Sequence, residues 1–412
     1  MIKIRKNQQI SMKLILKLKW IMSRIYESSF RKTLFRYTKE ERTSIIESFP
    51  EPKDRLERSY FQYLCQMKEL PAIVRFMQNA AALLLLPWIF LSGFFAKPQK
   101  VKGCDAVFLN LNEGIDKSII PNSLQEEFPN MTEIKEVKVL FGKEERKWLF
   151  RLCRNYWRSP YFIIKCWLKM GLYASLITSF HPKAVISYEE FSFTSSVISV
   201  YCEEHGVEHI NVLHGERLYN TRDTFVSFHR FYVWDDNYRK MFLEMRAEKG
   251  QFRVELPPLF IWDNAIEEAI KYDMTYYVGN PTSKQLKQLF NVLEPLRQGG
   301  AKICIRKHPR FGDSVLINHL FKNFAIETPE ISIRQSIART GAVCAAMSTV
   351  LLQAGYAGRR IVVDDVSNPE RFALLSELNY GILLQPHWLL SEVKPECFTF
   401  EKRGDKQNVF EC

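Results

Sequence analysis

In the stretch AKICIRKHPRFG, Ala301 to Gly312, an apolar run leads without a spacer into Arg306, Lys307, His308, Pro309 and Arg310. Apolar residues in such a run want a sheet interior. Cations flanking an imidazole suit a phosphate, whose charge they neutralise and whose departure the imidazolium assists. The plain alternative is a basic strand exit, ended by a proline that cannot continue the ladder. About forty residues on, Ser348 and Thr349 stand between the apolar run AVCAAM and the helical pattern VLLQAGYAG. Either hydroxyl is a good N-cap, and a helix start also attracts phosphate through its free N–H groups and its dipole.

A second set of chemistry-bearing residues lies upstream. Glu189 and Glu190 follow the apolar run AVISY, and His214 and Glu216 follow INVL. A carboxylate or an imidazole there can take a proton from an attacking hydroxyl. Asp235 and Asp236 after FYVW are a third choice, and Asp364 and Asp365 after IVV suit a ribose contact or a turn cap. The chain has no D-x-D arrangement, no glycine-rich P-loop and no G-x-G-x-x-G. No metal is expected, and any phosphate site must rest on Lys307, His308, Arg310, Ser348 and Thr349.

The elements that would carry these residues alternate. From residue 103, short apolar runs are separated by helical patterns, the signature of a parallel sheet covered by helices. The proline-rich ELPPLFIW reads as a linker, and the alternation resumes after it. The expected fold class is α/β, with two Rossmann-like domains facing a cleft and a basic, partly hydrophobic N-terminal segment. The expected divisions are 1–102 for that arm, 103–260 and 261–385 for the two domains, and 386–412 for a tail. Each candidate falls at the carboxyl end of a strand, where such sheets bind ligands.

Charge and cysteine usage narrow the class. The net charge is +12, and residues 1–50 hold 12 Lys and Arg against 4 Glu. The basicity therefore belongs to the N-terminal arm, which favours an anionic surface over nucleic acid. The stretch AAALLLLPWIFLSGFFA, Ala80 to Ala96, reads as a membrane-associating segment or as a core helix. The nine cysteines have no C-x-x-C spacing, which fits reduced cytosol. The expected location is cytoplasmic, peripheral to the inner membrane.

RKHPR followed by MSTVLLQAG resembles the HP and Ser/Thr motifs of bacterial sialyltransferases and polysialyltransferases of the GT-B fold. The related capsule and teichoic-acid polymer transferases share this order, and often have a strand ending in HG, as NVLHGE does here. The resemblance covers about residues 180–370. It implies that His308 contacts the donor phosphate and assists its departure, and that Ser348 and Thr349 hold the same phosphate. The family's acidic motif is two acids and a glycine; YEEF has Phe191 in the glycine position.

The function expected is an inverting, metal-independent glycosyltransferase of bacterial surface polysaccharide or lipopolysaccharide, with a nucleotide-sugar as donor and no separate cofactor. The acceptor would be a glycan or a lipid-linked glycan. A polyol-phosphate transferase of the CDP-glycerol type would use the same residues, and a non-catalytic scaffold of polysaccharide assembly is the third reading.

Overall fold

The computed structural model describes residues 36–93, 103–111, 115–137, 139–188, 190–262, 268–308, 314–328 and 330–398. Of the expected site residues, Glu189 and Arg310 lie outside these, as does most of the basic arm. The chain divides into two compact units. One comprises 1–117, 121–214 and 219–255, and the other 118–120, 215–218 and 256–412.

The first unit is built on six parallel strands: β1 (Ala106–Leu109), β2 (Met131–Ile134), β3 (Ala184–Tyr188), β4 (Glu208–Val212), β5 (Arg230–Val233) and β6 (Phe252–Val254). Their order across the sheet is β2-β1-β3-β4-β5-β6. Strands β1 and β3 are buried along their whole length, as continuous apolar runs covered on both faces must be. The direction of strand addition reverses between β1 and β3.

The second unit has β7 (Tyr272–Val278), β8 (Ile303–Lys307), β9 (Ala325–Glu327), β10 (Thr340–Ala345), β11 (Arg360–Val363) and β12 (Trp388–Leu389). These are also all parallel, in the order β12-β11-β10-β7-β8-β9. Counted within the unit this is 6-5-4-1-2-3, the strand order of dinucleotide-binding Rossmann sheets, with its switch point between β7 and β10. The α/β class with two Rossmann-like units is thus as expected. Capping boxes start the helices that flank β7 and precede β10. Thr282 Oγ1 accepts from Gln285 N while Gln285 Oε1 takes the Thr282 amide, and Ser332 and Gln335 repeat the device.

The segments read from sequence as arm, linker and tail are packed, and the division between the units falls within ELPPLFIW. Residues 39–70, grouped there with the arm, form the helices Lys39–Glu47 and Arg55–Glu69. Leu56, Tyr63, Met67 and Leu70 lie in the first unit's core with Trp148, Phe162, Phe193 and Tyr201. Arg42 and Glu69 form a buried ion pair at 3.2 Å between the two helices, and Arg42 also donates to the Tyr219 carbonyl at 2.9 Å. The supposed linker is docked: Phe260 is buried against Tyr356, and Arg334 donates to the carbonyls of Pro258 and Ile261. The supposed tail supplies β12 and places Leu390 and Val393 in the second unit's core.

The apolar stretch after residue 71 belongs to one helix, Ala72–Gly93, with Pro87 inside it. Among the described residues no helix is long and apolar enough to cross a membrane. The described cysteines are free thiols, and burial pushes the Cys65 thiol up to about 12.

Candidate functional site

In the second unit the order of strand addition reverses between the paired strands β7 and β10, and the candidates lie at the carboxyl edge of the sheet. The last residue of β7, Val278, pairs with Lys307 of β8, and His308 N–H extends that ladder by donating to the Val278 carbonyl at 3.1 Å. The backbone thereby fixes His308 beside the switch point, with its side chain exposed. Lys307 is half-buried and donates to Asn318 Oδ1 at 3.2 Å. Arg306 faces the other way. Its guanidinium is buried, 2.7 Å from Glu327 Oε2 on β9 and 2.5 Å from the Ile331 carbonyl. Alternation along the strand thus sends Arg306 into the interior as a structural group.

On the other side of the switch point, Ser348 has extended backbone and caps the helix Thr349–Tyr356, its Oγ accepting from Val350 N at 3.3 Å. Thr349 is the first helical residue and is half-buried. The Ser348 amide is not left to solvent: it donates to the Tyr380 phenol oxygen at 3.1 Å. Burial raises the Tyr380 pKa well above the usual phenol range, and the negative charge of Glu216 adds to it. Glu216 therefore belongs with Ser348 and Tyr380, in the second unit, rather than with the first-domain carboxylates among which it was expected.

Arg371 completes this neighbourhood. Its Nη2 lies 3.2 Å from the Met347 sulfur, and burial lowers its pKa while the phenols of Tyr380 and Tyr276 oppose that shift. Sequence reasoning missed both Tyr380 and Arg371. The only local signal was Asn368-Pro369, a cap and a first-turn proline that start the helix Pro369–Glu377.

Asp364, expected at a ribose or as a turn cap, is buried with both oxygens occupied. Tyr276 OH donates to Oδ2 at 2.6 Å, and Oδ1 takes the amides of Val366 and Ser367 at 3.0 and 2.8 Å. It holds the turn after β11.

In the first unit the edge formed by β1, β3 and β4 gathers a second set. Tyr188, the last residue of β3, donates from its hydroxyl to Asn110 Oδ1 at 3.0 Å. Its ring meets the His214 imidazole edge-on at 5.4 Å. Asn110 is buried just beyond β1 and donates to Glu133 Oε1 and the Ile115 carbonyl. Glu190 is 9% exposed. One of its carboxylate oxygens lies 2.6 Å from Lys169 Nζ, and its amide donates to Asn211 Oδ1 on β4.

The structure thus brings Glu190, His214, Tyr188 and Asn110 to one strand edge. Lys169, Tyr188 and Asn110 were not singled out from the sequence. Asp235 caps the helix Asp236–Glu244 through the amides of Asn237 and Tyr238, and Asp236 pairs with Arg239 at 2.8 Å. Among the described residues no group of three or more His, Cys, Asp or Glu side chains could hold a metal ion.

The two parallel strand orders define a protein of two Rossmann-like α/β units. Neither a family model nor a curated protein sequence matches the chain. Solved structures do resemble it. One is the Methanocaldococcus jannaschii UDP-GlcNAc 2-epimerase in complex with UDP-GlcNAc and UDP, with 12% identity over 72% of this chain and 89% of that one, TM-score 0.40. Another is the wall teichoic acid polymerase TagF, with 11% identity over 72% and 80%, TM-score 0.38. A third is the lipopolysaccharide outer core galactosyltransferase WaaB, with 13% identity over 65% and 81%, TM-score 0.36. At these scores the likeness bears on neither substrate nor mechanism, and the fold assignment rests on strand order.

Proposed function

We propose that the protein is an inverting, metal-independent glycosyltransferase. It moves a sugar from a nucleotide-sugar donor, CMP-sialic-acid-like or a UDP-sugar, to a bacterial surface polysaccharide or lipopolysaccharide acceptor, free or lipid-linked. The observation that carries this reading is the pair of groups flanking the β7/β10 switch point. His308 is tied by its backbone to the end of β7, and Ser348 caps the helix that follows β10.

The acceptor hydroxyl attacks the anomeric carbon from the face opposite the donor phosphate. The new C–O bond forms as the bond to the phosphate oxygen breaks, and the electron pair leaves with the nucleotide. His308, with Lys307 and Arg310 beside it in sequence, neutralises or protonates that leaving phosphate, while the hydroxyls of Ser348 and Thr349 donate to it. Glu190 takes the acceptor proton; His214 is its rival for that role.

The test uses the full chain in a thermal-shift panel of CMP, UDP, GDP and CDP-glycerol, with and without EDTA. A ligand at a hundred times its Kd adds about 2.7 kcal/mol to the native state. A rise with CMP, UDP or GDP that EDTA leaves intact supports the proposal. A rise with CDP-glycerol alone transfers it to polyol-phosphate transfer, and a flat panel leaves a scaffold.

A further inference from the structure

The helix Ala72–Gly93 packs one face and bares the other. Ala82 is buried, and Leu85 and Leu86 are partly buried, in a cluster with Phe141, Ile164 and Trp167. Asn79 Oδ1 accepts the Tyr161 amide at 3.2 Å. On the opposite side Ile73, Phe76, Met77, Leu83 and Leu84 are exposed, Phe76 by 70% and Leu84 by 75%. Their spacing of three, four and seven residues makes a single stripe. Isolated exposed apolar residues need no explanation, but five on one helix face do.

The helix Lys143–Tyr156 packs on the same buried cluster. Its Leu149 joins the cluster that holds Leu85 and Leu86, and the next residue, Phe150, is 72% exposed. The residue after its end, Trp157, is also exposed, with the Arg158 guanidinium 5.0 Å from its ring. The cations Arg75, Arg154 and Arg158 are exposed on these two helices and the residues that follow them. No Asp or Glu occurs between Leu70 and Cys104, whereas Arg75, Lys97, Lys100 and Lys102 do.

We propose that this face docks on an anionic lipid bilayer. An exposed apolar stripe, with arginine and tryptophan exposed on the same unit, matches the boundary between acyl chains and acidic headgroups. Charge decides against the other occupants. Residues 1–35 hold nine Lys and Arg against one Glu, so folding them back would set cation on cation, as would a second copy of the same face. Both segments call for the same anionic partner.

The inference goes beyond the catalytic reading and is tested without turnover, so either can fail alone. Full-length protein is floated with vesicles of phosphatidylcholine alone, or with a third of phosphatidylglycerol. Binding is expected only to the anionic vesicles, weakening as salt rises. F76S/L84S and R154E/R158E should each lower the bound fraction about tenfold or more, with an unchanged melting point because all four side chains are exposed. The conservative Phe76→Trp should bind as the wild type does.

Wild-type flotation by F76S/L84S would assign membrane contact to residues 1–35 alone and overturn the proposal. Equal binding to neutral vesicles, or none to either, would overturn it as well. A dimer that F76S/L84S converts to monomer would instead give the face to a second copy.

Discussion

The amide of His308 donates to the carbonyl of Val278 at 3.1 Å, one step beyond the last pairing of β7 with β8. The ladder therefore sets the position of His308 by backbone alone, at the carboxyl end of β7. Two residues earlier on the strand, Arg306 spends its charge on Glu327. One strand end thus separates a structural cation from a solvent-facing imidazole.

That separation predicts opposite mutant phenotypes. Glu327→Ala leaves a buried guanidinium without its carboxylate and should cost about 3–5 kcal/mol, read by urea denaturation. Glu327 also accepts from Ser336 Oγ, whose hydroxyl meets Tyr277 OH at 2.6 Å, so the loss would spread to β7.

Ser348 combines two roles that substitution can part. Ser348→Ala removes the cap and should lower stability by about 1 kcal/mol. Ser348→Asp keeps a cap and favours the helix dipole, so its melting point should stay near the wild type. Its added negative charge should nevertheless abolish the nucleotide-induced shift. A full nucleotide response in the aspartate variant would leave Ser348 as a cap only.

A chain lacking residues 1–102 should not fold. The truncation removes Leu56, Tyr63, Met67 and Leu70 from the core and strips Tyr219 of its Arg42 contact. Loss of each large core side chain is worth about 2–5 kcal/mol, against a total stability of about 5–15. Circular dichroism with a cooperative melt from this truncated chain would contradict the core assignment.

Acid should destabilise the first unit through His209. The ring is buried between the Tyr173 hydroxyl at 3.0 Å and Ser199 Oγ at 2.9 Å. Burial holds its pKa well below 6.5, and the nearby His229 depresses it further. Burial lowers His229 as well. In the unfolded chain these imidazoles bind protons below about pH 6.5, where the folded protein does not. Their contribution is fully present above that pH and is lost as pH falls below it, by up to about 1.4 kcal/mol per pH unit for the buried His209, with the half-buried His229 adding less in the same direction. His209→Asn should be less stable at pH 8 and show a shallower decline between pH 6.5 and 5.

The buried strands were legible because their composition is extreme. AVISY and TGAVCA carry no charge and are wholly buried in β3 and β10. The edge strands β6, β9 and β12 escaped notice because two or three residues cannot display a period. His308 and Ser348 were legible as polar groups ending apolar runs.

Tyr380, Arg371 and Lys169 were not, since each reaches its partner through tertiary packing. Sequence proximity even misled at NVLHGE. His214 groups with Tyr188 in the first unit, while Glu216 acts on Tyr380 in the second. The core helix Arg55–Glu69 was absorbed into the basic arm because the charge excess just upstream overshadowed its amphipathic pattern.

The most direct test is single-turnover transfer from radiolabelled nucleotide-sugar by wild type and His308→Ala at equal, saturating donor. Removing a group that meets the leaving phosphate should slow transfer by about 10²–10⁴-fold. The melting point should be unchanged, because the exposed side chain contributes nothing to the core. Transfer within a few-fold of wild type by a correctly folded His308→Ala protein would contradict the account.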